Sequence, residues 1–224
     1  MVQKLGESFM KKCVLLLVLL FNVTNGTSET LMILDPSDGG KTFSEWQEKS
    51  FEGNTQYERV IQNDEAFISA RASGSASGLF LEKEVNLSTY PVLNWRWRVD
   101  KALEPHDEKT KGGDDFSARL YVVVSGGLFF WKTIALNYVW SSNDVTSKAW
   151  ANPFAGDNAQ MLPVRGAAAE LGVWHHESRN LKQDFKMLFD KDVVEIDGVA
   201  IMTDTDNGGG EAQAAYAEIF FSKE

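Results

Sequence analysis

Large apolar and polar residues alternate along most of this chain in short runs. In Leu93-Asn-Trp-Arg-Trp-Arg-Val99 every second position is large and apolar, the period of a strand with one buried face. Similar runs mark candidate strands at 58–61, 66–72, 78–85, 92–99, 118–125, 128–141, 161–165, 173–180, 194–203 and 214–221. Clusters of Gly, Ser, Asn and Asp separate them, as at Ala72–Gly78, Ser125–Gly127 and Asp204–Gly210. Many short strands parted by turn residues predict an all-β sandwich or barrel. No segment keeps a 3.6-residue apolar period for more than about three turns. The one expected helix is 182–189, where Phe185, Leu188 and Phe189 share a face. With no repeat of fixed period and no Pro/Ser-rich linker inside it, the chain reads as one β domain over residues 27–224.

The N-terminus breaks this pattern. Lys11 and Lys12 precede the apolar run Cys13–Phe21, and small or polar residues follow from Asn22 to Ser28. These are the parts of a secretory signal peptide, and the run is shorter than the ~20 residues a membrane-spanning helix needs. Thr24 and Gly26 suit cleavage after residue 26, with Ser28 as the alternative exit. Cys13 lies at the entrance of the apolar run, where it cannot carry a lipid anchor after cleavage. The expectation is an exported protein, periplasmic or extracellular, with no transmembrane segment once processed.

Composition narrows the classes further. The 224 residues are 43% hydrophobic and 12% aromatic, which excludes a disordered chain, and a single cysteine excludes a disulfide scaffold. A formal charge of −10 argues against nucleic-acid partners. Removal of residues 1–26 takes away three lysines and one glutamate and leaves the chain more acidic still.

Alternation also assigns faces. Trp95 and Trp97 should point to the core with Leu93 and Val99, because a buried aromatic removes roughly 150–250 Å² from water. Asn94, Arg96 and Arg98 then face the other way. Arg119 alternates with Leu120 and Val122, Asn137 with Leu136 and Tyr138, and Glu177 lies on one side with His175 and Arg179. If these strands were neighbours, one sheet face would carry Arg96, Arg98, Arg119, Asn137, Glu177 and Arg179. Such a face is either a ladder of cross-strand ion pairs or a groove for a polyhydroxylated or anionic ligand, which arginine forks bind well.

Two long polar stretches, 101–115 and 142–160, read as solvated loops, and loops on a rigid β scaffold are where binding groups collect. The first ends in Asp114-Asp115. Adjacent residues on an extended chain point to opposite sides, so this pair alone is no acid–base couple for glycoside cleavage. A salt bridge from Asp115 to Arg119 or Arg179 is the plainer reading. In Asp204-Thr-Asp-Asn-Gly208, the oxygens of Asp204, Asp206 and Asn207 could hold a Ca²⁺-like cation, or the segment is a polar turn. His106, His175 and His176 lack zinc-ligand spacing, and no nucleophile elbow or phosphate-binding glycine loop is present.

The succession Leu93–Arg98, Gly113-Asp-Asp-Phe-Ser-Ala-Arg-Leu-Tyr121, Asn137-Tyr-Val-Trp140, Asn152-Pro-Phe154, then Trp174 with Glu177, Arg179, Asn180 and Asp184, and Gly198–Asn207 resembles the bacterial domain of unknown function 3047 family. The resemblance runs from about Phe51 to Phe221 and implies an exported bacterial protein with no established activity. The layout of the last third is also similar to that of galactose-binding-like carbohydrate modules, which implies a jelly-roll-like β-sandwich. The expected function is that of a non-catalytic, exported module binding a carbohydrate or other polar ligand. Its binding groups would be Arg96, Arg98, Asp114, Asp115, Arg119, Asn137, Glu177 and Arg179. The alternatives are a periplasmic polysaccharide-cleaving enzyme using Asp114 or Asp115 with a second carboxylate, and a structural envelope protein.

Overall fold

The computed structural model describes residues 29–128, 132–145 and 148–224. The expected signal peptide, residues 1–26, lies outside the described residues, as do 129–131 of the strand expected at 128–141. In chain order the strands are β1 (Thr30–Leu34), β2 (Gln47–Glu52), β3 (Gln56–Gln62), β4 (Glu65–Ser73), β5 (Ala76–Asn86), β6 (Val92–Lys101), β7 (Ala118–Val124), β8 (Ile134–Trp140), β9 (Trp150–Asn152), β10 (Gly156–Arg165), β11 (His175–Asn180), β12 (Glu195–Asp204) and β13 (Glu211–Ser222). The single α-helix among the described residues, α1 (Leu181–Phe189), follows β11 directly. Among the described residues no helix is long and apolar enough to cross a membrane.

The strands form two sheets. One has the order β11-β6-β13-β4-β3; the other runs β2-β5-β12-β7-β8-β10-β9. Strand β13 is the spine of the first sheet. One of its edges pairs with β6 along most of its length, and the other is shared between β4 at Glu211–Tyr216 and β1 at Ile219–Ser222. All pairs are antiparallel except β8 with β10. The β3–β4 hairpin turns through Asn63 and Asp64 at φ 52° and 63°, the left-handed pair that matches strand twist in a two-residue loop.

Alternation in β6 does what the sequence predicts. Leu93, Trp95, Trp97 and Val99 are buried while Arg96 and Arg98 stand outside. Trp95 lies 5.0 Å from Tyr138 and Trp97 lies 5.9 Å from Trp140, ring centre to ring centre, so β6 of one sheet grips β8 of the other. Around these pairs pack Leu79 and Leu81 of β5, Leu120 and Val122 of β7, Val199 and Ile201 of β12, and Tyr216 and Phe221 of β13. The helix buries Leu181 and Phe185 at the margin of this core, with Asn180 capping its first turn by accepting from the Gln183 N–H. The fold is a β-sandwich with one short helix, as the pattern predicts.

Three strands escape the pattern. Strand β2, Gln-Glu-Lys-Ser-Phe-Glu, is exposed at every position, and β1 and β9 are short. An edge strand with no buried face carries no apolar period.

Candidate functional site

The expected single polar face does not exist; its members lie in three places. Arg96 and Arg98 are on the outer face of the first sheet. Arg96 forks onto Glu218 at 2.5 and 3.1 Å and also meets Glu65 at 2.8 Å, while Arg98 pairs with Asp100. The indole of Trp174 lies 5.0 Å from the Arg96 guanidinium and 4.9 Å from that of Arg98, and donates to Glu65. This is the cross-strand ladder, with its charges already matched. Glu177 and Arg179 lie opposite Trp95 and Leu93 in β6, so they point toward the gap between the sheets. Glu177 accepts from the Trp97 indole and from Arg165, and Arg179 grips the buried Asp184, which also accepts from Tyr138. Alternation separates the two sides of a strand but gives neither strand order nor register: β11 does pair with β6, yet in a register that sets Glu177 and Arg179 on the tryptophan side, and β7 and β8 belong to the other sheet.

Arg119 and Asn137 occupy the outer face of the second sheet, where an acidic cluster closes one end of the sandwich. The stretch 101–115 is exposed over much of its length, as expected of a surface loop, but Glu108 and its last residues Asp114 and Asp115 turn inward and are buried. Arg119, itself buried, ion-pairs with Asp204 at the end of β12, its Nε 2.8 Å from Asp204 Oδ1. It also donates to the Asp114 carbonyl at 2.6 Å. The expected bridge from Asp115 to Arg119 or Arg179 is therefore replaced. Asp115 instead accepts the N–H groups of Asn207 at 3.0 Å and Gly208 at 2.6 Å, which latches the 204–210 turn onto the 101–115 segment. Asp114 accepts from the Asn152 amide. Both carboxylates of the pair are buried and committed to these donors.

One oxygen each from Asp115, Asp204 and Asp206 lies within 4.8 Å of the others. The cation-holding set expected from sequence, Asp204, Asp206 and Asn207, thus gains Asp115 from 89 residues upstream, a partner that no local spacing announces. Burial, reinforced by the charges of Asp115 and Asp114, raises the Asp206 carboxyl above its usual range, and Arg119 offsets only part of that. The cluster already contains a cation, the Arg119 guanidinium.

The same outer face is open at its other end. Between β2, β5, β12 and β7 runs a groove of about 1080 Å³. Its floor is Phe80, Val123 and Gly198; Gln47, Lys49, Glu82, Thr133 and Asp197 stand around it. Two glycines shape it. A Cβ on Gly78 would sit 2.8 Å from Phe80 Cε2, so the Phe80 ring leans over that position along the sheet. A Cβ on Gly198 would sit 2.8 Å from the Leu81 carbonyl, so only glycine lets β12 approach β5 at the bulge there. Phe51 meets Phe80 edge to face at 6.3 Å. Sequence reasoning missed this site because Gln47 and Lys49 stand on β2, an unrecognised edge strand, and because Leu79, Phe80 and Leu81 are consecutive apolar residues that show no alternation.

With this geometry in hand, solved structures offer parallels. The family 30 carbohydrate-binding module of a cellulosomal cellulase of Clostridium thermocellum aligns with TM-score 0.51 at 10% identity, covering 88% of this chain and 98% of that one. The family 11 carbohydrate-binding module from Clostridium thermocellum, in complex with a β-1,3-1,4-mixed-linked tetrasaccharide, aligns with TM-score 0.48 at 13% identity over 86% and 95%. The glycoside hydrolase domain of Endo-D from Streptococcus pneumoniae R6 gives TM-score 0.42 at 11% identity; 80% of this chain is covered, but it spans only 22% of that one. At such identities the first of these speaks for the fold alone. No curated protein matches the chain. The model of one protein family matches residues 44–220, most of the sandwich from just before β2 to near the end of β13, and the chain therefore belongs to the family described as protein of unknown function (DUF3047).

Proposed function

We propose that the protein is an exported, non-catalytic module that holds a neutral polysaccharide chain in the groove on the outer face of its second sheet. The groove itself carries this reading: an aromatic floor ringed by hydrogen-bonding side chains on a rigid sheet. Sugar rings present C–H faces that pack on aromatic rings, and their hydroxyls need acceptors and donors at fixed positions. Phe80 supplies the first; Gln47, Glu82, Thr133 and Asp197 supply the second. The groove's own charge selects among glycans. Glu48, Glu82, Glu84 and Asp197 outnumber Lys49 and Lys83 along it, so a polyanion would be repelled. The likeness in fold to a carbohydrate-binding module supports the reading, and the N-terminal signal-peptide pattern supports export.

Affinity electrophoresis through gels containing mixed-linked β-glucan, xylan or polygalacturonate tests it. Retardation by a neutral glycan is expected. Retardation by polygalacturonate alone, or migration unchanged in every gel of a broad panel, contradicts it.

A further inference from the structure

A second pocket, of about 510 Å³, opens at the loop end of the sandwich, away from the groove. It is lined by Pro105, His106, Asp107, Glu108 and Lys109 of one loop, by Ser141, Asn143 and Asp144 after β8, and by Trp150 and Pro163 of β9 and β10. Its size falls in the range of small-ligand sites. The frame is rigid. Buried Glu108 accepts from Ser141 Oγ at 2.7 Å and from Ser142 Oγ at 2.9 Å, and the Asn143 amide donates to the His106 carbonyl at 2.8 Å. Trp150 is fixed by stacking on Phe116 at 6.4 Å and 26°.

The charges inside this frame are oddly placed. Among the described residues neither Asp107 nor Asp144 is in an ion pair, and Lys109 has no carboxylate partner. The Lys109 ammonium instead stands 5.7 Å from the centre of the Trp150 indole. A cation over an aromatic face, beside two carboxylates that no cation neutralises, is the arrangement that receives an ammonium group.

We propose that this pocket binds an amino sugar through its free ammonium group, with Lys109 as the internal stand-in that the ligand displaces. The ligand ammonium would take the place over Trp150 and be reached by Asp107 and Asp144, while Pro105 and Pro163 provide apolar walls for the C–H face of the ring. The site is independent of the groove and shares no residue with it.

Calorimetric titration of the full chain with a β-1,4-linked glucosamine trimer and with its N-acetylated counterpart tests the assignment, since acetylation keeps the ring and removes the charge. The free amine should bind about tenfold tighter, the scale of a desolvated cation–π contact. Lys109→Met should tighten binding several-fold, while Asp144→Asn and Trp150→Ala should weaken it. Asp144 is exposed, so its variant tests the site even where Trp150→Ala disturbs folding. Phe80→Ala should leave this binding unchanged, which separates failure here from failure of the groove. Equal or tighter binding of the acetylated trimer overturns the proposal. So does a Lys109→Met variant with unchanged affinity, or a lysine methyl ester that binds as well as the amino sugar.

Discussion

Arg119 on β7 and Asp204 at the end of β12 form an ion pair in which both side chains are all but closed to solvent, at 4% and 1% exposure. The pair ties two neighbouring strands of the second sheet together at the point where both leave it for the acidic cluster. Burial opposes the charge of this guanidinium, and Asp114, Asp115 and Asp206 favour it.

Removing that cation should be costly. Arg119→Met keeps most of the side-chain volume but leaves Asp204 buried and unpaired, a change that costs about 3–5 kcal/mol. For a domain of this size that lowers the melting temperature by roughly 10 °C or more. Differential scanning calorimetry checks it. A variant that melts within a degree or two of the parent would mean that Asp204 is neutral or otherwise paired.

Asp206 gives the opposite sign. Its carboxyl is raised above 3.8 by burial and by Asp115 and Asp114, so ionising it works against the folded state. Its contribution is fully favourable below the unfolded value and is lost as pH rises through the raised folded value. Asp206→Asn should therefore melt higher than the parent at pH 7. The gain should vanish near pH 3, where both carry no charge at this position. Melts across pH 3–7 decide it, and an equal gain at every pH would point to packing rather than charge.

Arg119 also bears on calcium. Asp115 spends both oxygens on backbone N–H groups, and Asp204 gives one oxygen to the Arg119 Nε and the Phe116 N–H and meets Arg119 again with the other. A Ca²⁺ ion wants six to eight oxygens, and here it would have to displace a covalently tethered cation. We propose that Arg119 serves as the resident cation of the cluster, so the parent should melt alike, within about 1 °C, in EDTA and in millimolar CaCl₂. A rise of several degrees in calcium, abolished by Asp204→Asn with Asp206→Asn, would instead make Asp204, Asp206 and Asn207 a cation site.

Much of the fold was legible because its central strands each bury one face. Trp95 and Trp97 announce the core side of β6 by period alone, and Arg119 is correctly set apart from Leu120 and Val122. Strand order was not legible: the alternation that turns Arg96 away from the core holds whichever sheet β6 joins. The latch between Asp115 and Gly208 was hidden for the same reason, since it depends on two distant segments meeting at one end of the sandwich. The groove was hidden differently. Its rim includes Lys49 and its floor Phe80, one on a strand with no buried side and the other an aromatic that period assigns without ambiguity to neither face of its run. A polar rim on an edge strand looks, in sequence, like a loop.

The most direct measurement compares two single variants in calorimetric titration against the neutral glycan that retards the parent in a gel. Phe80→Ala removes the aromatic floor of the groove; Arg96→Ala removes a charge from the ladder on the opposite face, where a partly exposed pair is worth about 1 kcal/mol or less to stability. Both should fold. Phe80→Ala should lower affinity at least about tenfold, as loss of a stacking platform does, and Arg96→Ala should bind as the parent does. Undiminished binding by Phe80→Ala, with binding lost in Arg96→Ala, would contradict the groove and return the site to the arginine face.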